Sequence, residues 1–247
     1  MHAAKDLCTV KRAKIAVITG ATSGIGAAVG RCLAAAGARV FLVGRSARKL
    51  SAAARRIPRR QLAGTARVDL RSRTDIGRLL AEIARRLPRV DVLVHCAGEY
   101  RWSEPGSLDP ESFDLLFEVN VRAPYLLTQG LLGLLQRARG QVIFLNSSIV
   151  SGTGQGVAVY KATQHAVQGF TDSLRQDLNR RRIRVSSLYP GRTATPRMRR
   201  IYAREGKPYR PAMLLKPADL ARLVLAVTEL PHGLEVTDVH VRSLTRY

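Results

Sequence analysis

The sequence is poor in acidic residues and in aromatic side chains. It carries 18 acidic against 41 basic residues, which gives a formal net charge of +23, and such a field attracts anions, nucleic acid among them. Aromatic residues make up only 5% of the chain, so the rings on which single-stranded nucleic acid stacks are scarce. Because the basic residues are also scattered along the whole chain, specific nucleic-acid binding is disfavoured as the function.

Cysteines and long apolar runs are scarce as well. Cys8, Cys32 and Cys96 form no CxxC pair and no cluster with the histidines, which argues against a disulfide framework and a metal site. No apolar run approaches the roughly 18 residues of a membrane-spanning helix, and the first residues lack the apolar core of a secretory signal. We therefore expect a cytoplasmic protein with no metal site and no membrane segment.

The sequence does contain an alternation of apolar runs and amphipathic segments. An apolar run at 15–18 leads into a glycine-rich turn, a helical pattern that stops at Gly37, and a second apolar run at 39–43. This order is typical of a β-α-β unit that opens a parallel sheet. Further strands are predicted at 65–70, 90–95, 142–145, 183–188 and 235–241. Helices are predicted at 48–56, 75–87, 110–135 and 218–229, and from about 157.

The turn after the first strand has the features of a dinucleotide site. Glycines allow the backbone to approach a ligand closely, and a helix N-terminus presents free N–H groups to a pyrophosphate. The turn lacks the lysine of a phosphate-binding loop, and its alternative interpretation is a tight turn without a ligand. The residues of this turn that are expected to contact a cofactor are Gly20, Thr22, Ser23, Gly24, Ile25 and Gly26.

The ends of the next strands indicate which dinucleotide would bind. An acidic residue there would accept from a ribose 2′-hydroxyl, but the second strand ends in Gly44 and Arg45. Arg45 could pair with a 2′-phosphate, so NADP(H) is favoured and NAD(H) stays open; otherwise Arg45 is an ordinary exposed arginine. Asp69 could accept from an adenine amine or cap the helix near Asp75. Ala97 and Gly98 are small enough for the backbone to lie against a ribose.

Hydroxyl groups flank the loop after the strand at 142–145. Ser147 and Ser148 end this strand, and Tyr160 stands near the start of the next helix. A hydroxyl that faces a phenol suits proton transfer to a bound oxygen. Asn120 lies among apolar neighbours, where its amide needs hydrogen-bond partners, so it could brace a kink or hold a water. One turn after Tyr160, where this chemistry calls for a cation, the chain has Gln164.

Residues 192–217 show poor periodicity and contain several proline and glycine residues. An irregular segment of this length in a compact domain is usually functional, so we expect it to be a lid over the substrate. Its candidate pocket residues are Arg197, Met198, Tyr202 and Tyr209, and its basic residues indicate an anionic substrate.

Together these motifs resemble the short-chain dehydrogenase/reductase family over nearly the whole chain. The matching residues are Thr19, Gly20, Gly24, Ile25, Gly26, Asp69, Ala97, Gly98, Asn120, Ser147, Tyr160, Pro190, Gly191 and Thr195. The resemblance implies a single α/β domain over residues 1–247, with a basic N-terminal arm at 1–13 and a Rossmann-type, doubly wound sheet of about seven parallel strands flanked by helices. It also implies a dinucleotide cofactor, a small carbonyl or alcohol substrate, and a homodimer or homotetramer.

The resemblance also assigns roles to individual residues. Ser147, thirteen residues before Tyr160, would polarise a substrate carbonyl, Tyr160 would give or take the proton, and Asn120 would hold a relay water. The family's lysine, four residues after the tyrosine, is replaced by Gln164. The implied cofactor contacts are Gly20, Thr22, Ser23, Gly24, Ile25, Gly26, Arg45, Asp69, Leu70, Ala97, Gly98, Asn120, Tyr160, Gln164, Pro190, Gly191 and Thr195.

Gln164 can reach ribose hydroxyls with its amide, but it carries no charge to stabilise a phenolate. Reduction, which needs a neutral tyrosine, is therefore favoured over oxidation. The leading hypothesis is an NADP(H)-dependent oxidoreductase that reduces a carbonyl to an alcohol. The alternatives are an impaired or repurposed member that binds the dinucleotide without efficient turnover, and a nucleic-acid-associated protein. His95 replaces the first asparagine of the family's N-N-A-G run and is expected to be a hydrogen-bonded strand-end residue.

Overall fold

The computed structural model describes residues 12–104 and 106–244. Within these residues, seven strands form one sheet. They are β1 Ile15–Thr19, β2 Arg39–Gly44, β3 Leu62–Arg67, β4 Val92–His95, β5 Gln141–Leu145, β6 Arg184–Pro190 and β7 Asp238–Val241. The strand order is β3-β2-β1-β4-β5-β6-β7, and every neighbouring pair is parallel. The order reverses between β1 and β4, which makes the sheet doubly wound and confirms the expected fold class.

Helices cover both faces of the sheet. They are α1 Gly24–Ala35, α2 Ala47–Ala54, α3 Arg73–Arg86, α4 Pro110–Phe117, α5 Ala123–Ala138, α6 Ala158–Asn179, α7 Pro196–Arg204 and α8 Pro217–Glu229. Apolar side chains of α3, α5 and α6 form the core on one face, and those of α1 and α8 form the core on the other. Parallel strands covered on both faces have continuous apolar sequences, which is why the short runs in β1 and β4 could be recognised.

The third strand lies three residues earlier than the sequence predicts. It ends at Arg67, so Asp69 falls in the turn that follows it. The segment contains small residues with weak strand preference. The segment forms a strand because it packs closely against β2, with which it pairs. Gly64 allows this close packing, since a side chain there would come within 2.6 Å of the Phe41 ring of β2.

The helix predicted at 110–135 is interrupted. A wider, π-type turn, Glu118–Arg122, separates α4 from α5, and it contains Asn120. Such turns insert one extra residue into a helix and are frequent at functional sites. The expectation of one continuous helix was therefore wrong.

The segment 192–217 is more ordered than the sequence predicts, because it contains α7. Pro196 occupies the first turn of this helix, where a proline removes no intrahelical hydrogen bond. The Thr195 hydroxyl accepts from the Met198 N–H at 3.2 Å and caps the helix. Pro196, one of the prolines that made this segment appear irregular, therefore begins a helix and does not break one.

The N-terminal arm expected at 1–13 lies outside the described residues, apart from its last two positions. None of the helices in the described ranges is long and apolar enough to cross a membrane.

Candidate functional site

The carboxyl ends of the parallel strands bring the predicted site residues to one edge of the sheet. Ligands of doubly wound proteins bind at this edge, near the point where the strand order reverses. The expected residues that follow or end these strands are Gly20, Thr22, Ser23, Gly24, Ile25, Gly26, Arg45, Asp69, Leu70, Ala97, Gly98, Ser147, Pro190, Gly191 and Thr195. Asn120, Tyr160 and Gln164 reach this edge from the turn between α4 and α5 and from the start of α6.

The turn after β1 fits an anionic group. Gly20 has a φ of +65°, and a side chain on it would come within 2.7 Å of the Ala97 backbone nitrogen. A side chain on Gly26 would come within 2.4 Å of the Gly20 carbonyl oxygen. Ser23 precedes α1, but its side chain makes no capping hydrogen bond, and the first turn of α1 holds no acidic residue. The first N–H groups of α1 therefore have no side-chain partner, which suits a pyrophosphate.

The Thr19 hydroxyl fixes the ends of β1 and β4 relative to each other. It is buried and accepts from the backbone N–H groups of Cys96 and Ala97, each at 3.2 Å. Thr19 was recognised only as part of the glycine motif, and its partners lie 77 and 78 positions away. No local sequence signal indicates this contact.

A cavity of about 550 Å³ lies beside the ends of β2 and β3. Its lining includes Arg45, Arg67 and Asp69. Arg45 is mostly exposed and forms an ion pair with Glu99 at 3.3 Å. Gly44 pairs with Arg67 in the sheet, so Arg67 is a second guanidinium at this end that sequence reasoning missed. Leu70 is partly buried and packs against the core.

Asp69 does not cap α3. The cap is Ser72, whose hydroxyl accepts from the Asp75 N–H at 3.1 Å. The Asp69 carboxylate accepts instead from Arg71: Oδ1 accepts from Nε at 3.1 Å, and Oδ2 accepts from Nη2 at 2.5 Å. This bidentate contact holds the pKa of Asp69 below its usual value. The capping alternative was therefore wrong, and Asp69 stays ionised in the turn beside the cavity.

Asn120 braces three segments of the site. Its Oδ1 accepts from the Glu99 N–H at 2.7 Å, and its Nδ2 donates to the Glu99 carbonyl at 3.0 Å and to Thr163 Oγ1 at 3.1 Å. The buried amide therefore connects the wide turn before α5 with the loop after β4 and with α6. These bonds give Asn120 a bracing role between the segments, and its expected role in holding a water stays a prediction.

A second amide, Asn146, connects the end of β5 with α6. Its Oδ1 accepts from the Ser147 N–H at 2.7 Å, and its Nδ2 donates to the Gln164 carbonyl at 3.1 Å. This buried residue fixes the position of the Ser147 backbone relative to the turn of α6 that follows Tyr160. Sequence reasoning missed Asn146, although its place next to the hydroxyl pair gave an indication.

Tyr160 lies in the first turn of α6 and is partly exposed. Its ring meets the Tyr100 ring edge-on, with 5.1 Å between the centroids. Burial, together with the charge of Glu205, raises the pKa of the Tyr100 phenol. Tyr100 follows the Ala97-Gly98 pair by two residues and was not predicted as a site residue.

Gln164 is buried, with 7% of its surface exposed. Its Nε2 donates to Thr163 Oγ1 at 3.4 Å, and Thr163 also accepts from Asn120. The ammonium of Lys161 is held elsewhere, since it donates to the Gly152 carbonyl at 2.7 Å. Gln164 therefore adds an amide, and no charge, to the hydrogen-bonded group around Tyr160.

Helix α7 lies over the edge of the sheet. Arg197 donates from Nη2 to the Gly98 carbonyl oxygen, and the Thr195 methyl is the nearest atom to a side chain built on Gly24, at 3.1 Å. Arg192 forms a bidentate ion pair with Glu205, at 2.9 and 2.7 Å. The segment predicted as a lid thus contacts both the glycine turn and the loop after β4.

Two titratable groups near the site are unsuited to catalysis. His95 is buried and bonds to Thr128 Oγ1 at 2.9 Å, and burial lowers its pKa to about 3. Burial raises the pKa of the Cys96 thiol to about 12, so it carries no thiolate at neutral pH. No group of three or more His, Cys, Asp or Glu side chains in the described ranges is arranged to hold a metal ion.

Comparison with known proteins gives one family. The family model for short chain dehydrogenases matches residues 14–206. An uncharacterized short-chain type dehydrogenase/reductase of Sinorhizobium fredii is 34% identical, over 94% of this chain and 92% of its own length. The NADP-dependent 3-hydroxy acid dehydrogenase YdfG of Salmonella typhi is 29% identical, over 94% of this chain and 96% of its own length.

A solved structure has the same fold over almost the full length. It is an alcohol dehydrogenase from the archaeon Thermococcus sibiricus, complexed with 5-hydroxy-NADP. It superposes with a TM-score of 0.85 at 25% identity, and the match covers 96% of this chain and 99% of that one. With the family model and the curated relatives, this shows that the chain belongs to the short-chain dehydrogenase/reductase family.

Proposed function

We propose that this protein is an NADP(H)-dependent oxidoreductase that reduces a carbonyl to an alcohol, with Tyr160 as the proton donor. The observation that carries the proposal is the position of the uncapped N-terminus of α1 at the same sheet edge as Ser147 and Tyr160. When bound, the dinucleotide would supply the hydride. The α1 turn binds its phosphates, and the hydroxyl groups act on the substrate oxygen.

Each polar group of the site has a separate task in this proposal. Ser147 donates a hydrogen bond to the substrate carbonyl, and Tyr160 gives its proton to the oxygen as negative charge develops there. Asn120 and Asn146 keep α6 in register with the ends of β4 and β5. Gln164 stands where the family has its lysine, and its amide can bond ribose hydroxyls.

NADP(H) is proposed over NAD(H) because of charge at the end of β2. Arg45 and Arg67 are among the residues that line the cavity there. Strand β2 ends at Gly44 and is followed by Arg45, so the end of this strand carries no carboxylate that could accept from a 2′-hydroxyl. Arg45 is exposed and pairs with Glu99 at 3.3 Å, which leaves it able to turn toward a phosphate. The relative YdfG and the Thermococcus enzyme are named with NADP forms.

The size of the substrate and the assembly of the chain are also proposals. The substrate is a small molecule, and the chain assembles as a homodimer or homotetramer. Phe113 and Tyr125, which are 45% and 44% exposed on α4 and α5, support an interface between copies. The alternative function, dinucleotide binding without efficient turnover, rests on the missing charge at Gln164.

The test combines cofactor binding with turnover. Fluorescence titration should show NADPH binding at least about tenfold more tightly than NADH, and Arg45→Ala should weaken NADPH alone, because a guanidinium–phosphate pair is lost. NADPH consumption with a panel of small ketones should fall by about a hundredfold or more in Tyr160→Phe, while its NADPH affinity should change far less. Tight NADPH binding without turnover of any ketone would refute the reductase assignment and leave the binding role.

A further inference from the structure

Arg204, near the C-terminus of α7, is held against an aromatic ring. Its Cζ lies 4.4 Å from the centroid of the Trp102 ring. Trp102 is itself fixed, because its Nε1 lies 2.2 Å from where a side chain on Gly156 would begin, and its neighbour Ser103 donates its N–H to the Gly156 carbonyl at 2.9 Å. The guanidinium therefore has a defined position above the loop that precedes α6.

Arg204 has unused hydrogen-bonding capacity. Stacking on Trp102 uses the face of the guanidinium, while its N–H donors lie in the plane and point outward. No carboxylate in the described part of the chain lies within ion-pair distance of Arg204. The neighbouring carboxylate, Glu205, already bonds Arg192 and lies 3.3 Å from Lys207, and the Arg192 guanidinium holds the pKa of Glu205 below its usual value.

The position of Arg204 connects it to the reacting groups. Trp102 lies two residues after Tyr100, whose ring packs edge-on against the Tyr160 ring at 5.1 Å. The Trp102 ring, on which Arg204 stacks, also lies against Gly156 in the loop that leads into α6 and Tyr160. The short run Tyr100–Trp102 therefore contacts Arg204 through its Trp102 ring and Tyr160 through its Tyr100 ring.

We propose that the substrate is an oxo acid whose carboxylate binds Arg204 while its carbonyl meets Ser147 and Tyr160. A planar guanidinium matches a carboxylate with two parallel N–H···O bonds. The inference rests on the proposed function and specifies the substrate class. The oxo acid gains a hydride at its carbonyl carbon from NADPH and a proton at its oxygen from Tyr160, and it leaves as the hydroxy acid with NADP⁺.

The test uses three oxo acids that differ in the spacing between carbonyl and carboxylate, each with its uncharged methyl ester: pyruvate, acetoacetate and levulinate. For the acid whose spacing fits, kcat/KM should exceed that of its ester by about a hundredfold or more, because the ester leaves Arg204 unpaired. Arg204→Gln should reduce this ratio to near one, and Arg204→Lys should retain part of it. Arg200→Gln, which removes the same charge from an exposed position of the same helix, should leave the ratio unchanged.

Calorimetry separates failure of this inference from failure of the proposed function. If the enzyme reduces esters as well as acids, and Arg204→Gln changes nothing, the reductase stands and the carboxylate site is wrong. If nothing is turned over, the three acids and their esters are titrated into the protein with NADP⁺ present. Binding of an acid, but not of its ester, that disappears in Arg204→Gln supports the site, and equal or absent binding overturns it.

Discussion

His95 places an uncharged imidazole in the core at the end of β4, and this should make the fold sensitive to acid. Its pKa is about 3 in the folded protein, against 6.5 as an ordinary histidine. Between these values the unfolded chain binds a proton that the folded chain does not, so the free energy of unfolding falls as the pH drops from 6.5 toward 3. Above pH 6.5 the residue contributes nothing to the pH dependence.

Replacing His95 by asparagine should remove this part of the pH dependence, since an amide can still bond Thr128. Urea unfolding at pH 7 and pH 4.5 measures the effect. From pH 7 to pH 4.5 the free energy of unfolding of the wild type should fall by up to about 2–3 kcal/mol more than that of His95→Asn. The exposed His165→Asn is the control and should behave as the wild type does. Equal losses in wild type and His95→Asn would show that His95 does not cause acid sensitivity.

Gln164 stands one turn after Tyr160, and its amide brings no positive charge to that position. Gln164→Lys should speed alcohol oxidation at neutral pH by about tenfold, because a cation one turn after Tyr160 favours its phenolate form. Reduction and NADPH affinity should change much less. Gln164→Met, which removes the amide without adding charge, should give no such gain. If the wild type oxidises alcohols fast and Gln164→Lys does not change this rate, the lack of charge at position 164 does not limit oxidation.

At the scale of elements, the turn from β1 into α1 depends on close backbone approach. Gly26→Ala places its new carbon 2.4 Å from the Gly20 carbonyl oxygen, and the required backbone shift should cost about 1–3 kcal/mol of stability and weaken NADPH binding. Gly77→Ala is the matched control in α3, where an added side-chain carbon meets no atom within 4 Å. It should instead stabilise the protein by about 0.5–1 kcal/mol. Urea unfolding of both variants checks the pair, and an unaffected Gly26→Ala would contradict the packing argument.

The elements also show where sequence reasoning succeeds. Buried strands with continuous apolar runs, such as those of β1 and β4, were found because their pattern is local. Strand β3 was displaced by three residues because Gly64 fits the Phe41 ring, which belongs to another strand. Helix α7 was missed because the proline that should break a helix stands where a helix begins. Errors arose where a neighbouring element, or the position within a helix, overrides the preference of a residue.

The site residues divide in the same way. The cofactor turn that contains Gly20 and Gly26 could be predicted because all its glycines lie within a few residues of one another in the sequence. The contacts of Thr19 with Ala97, and of Arg204 with Trp102, join positions that are about 80 and 100 residues apart. No local pattern contains such a pair, so Tyr100 and Arg204 became visible only in the folded chain.

At the scale of the whole molecule, the exposed apolar face of α4 and α5 predicts assembly. Phe113 and Tyr125 lie on it. A cavity of about 490 Å³ at this face is lined by apolar residues, among them Phe117, Tyr125 and Phe170, and by the charged residues Asp114, Glu118 and Arg122. Light scattering should give the mass of a dimer or tetramer, and Phe113→Glu with Tyr125→Glu should shift it toward the monomer. Leu234→Glu is the control, because this apolar residue is 56% exposed but lies in a loop outside α4 and α5. It should leave the mass unchanged. A monomeric wild type would remove the proposal.

The most direct test of the central claim follows a deuterium atom. The protein is mixed with NADPH deuterated at the transferable position and with a carbonyl substrate from the panel, and the product alcohol is analysed by mass spectrometry. We predict an alcohol that carries the deuterium with the wild type, and at least about a hundredfold less of it with Tyr160→Phe at the same cofactor occupancy. NADPH that is bound but yields no deuterated alcohol, or a Tyr160→Phe variant as active as the wild type, would contradict the proposed function.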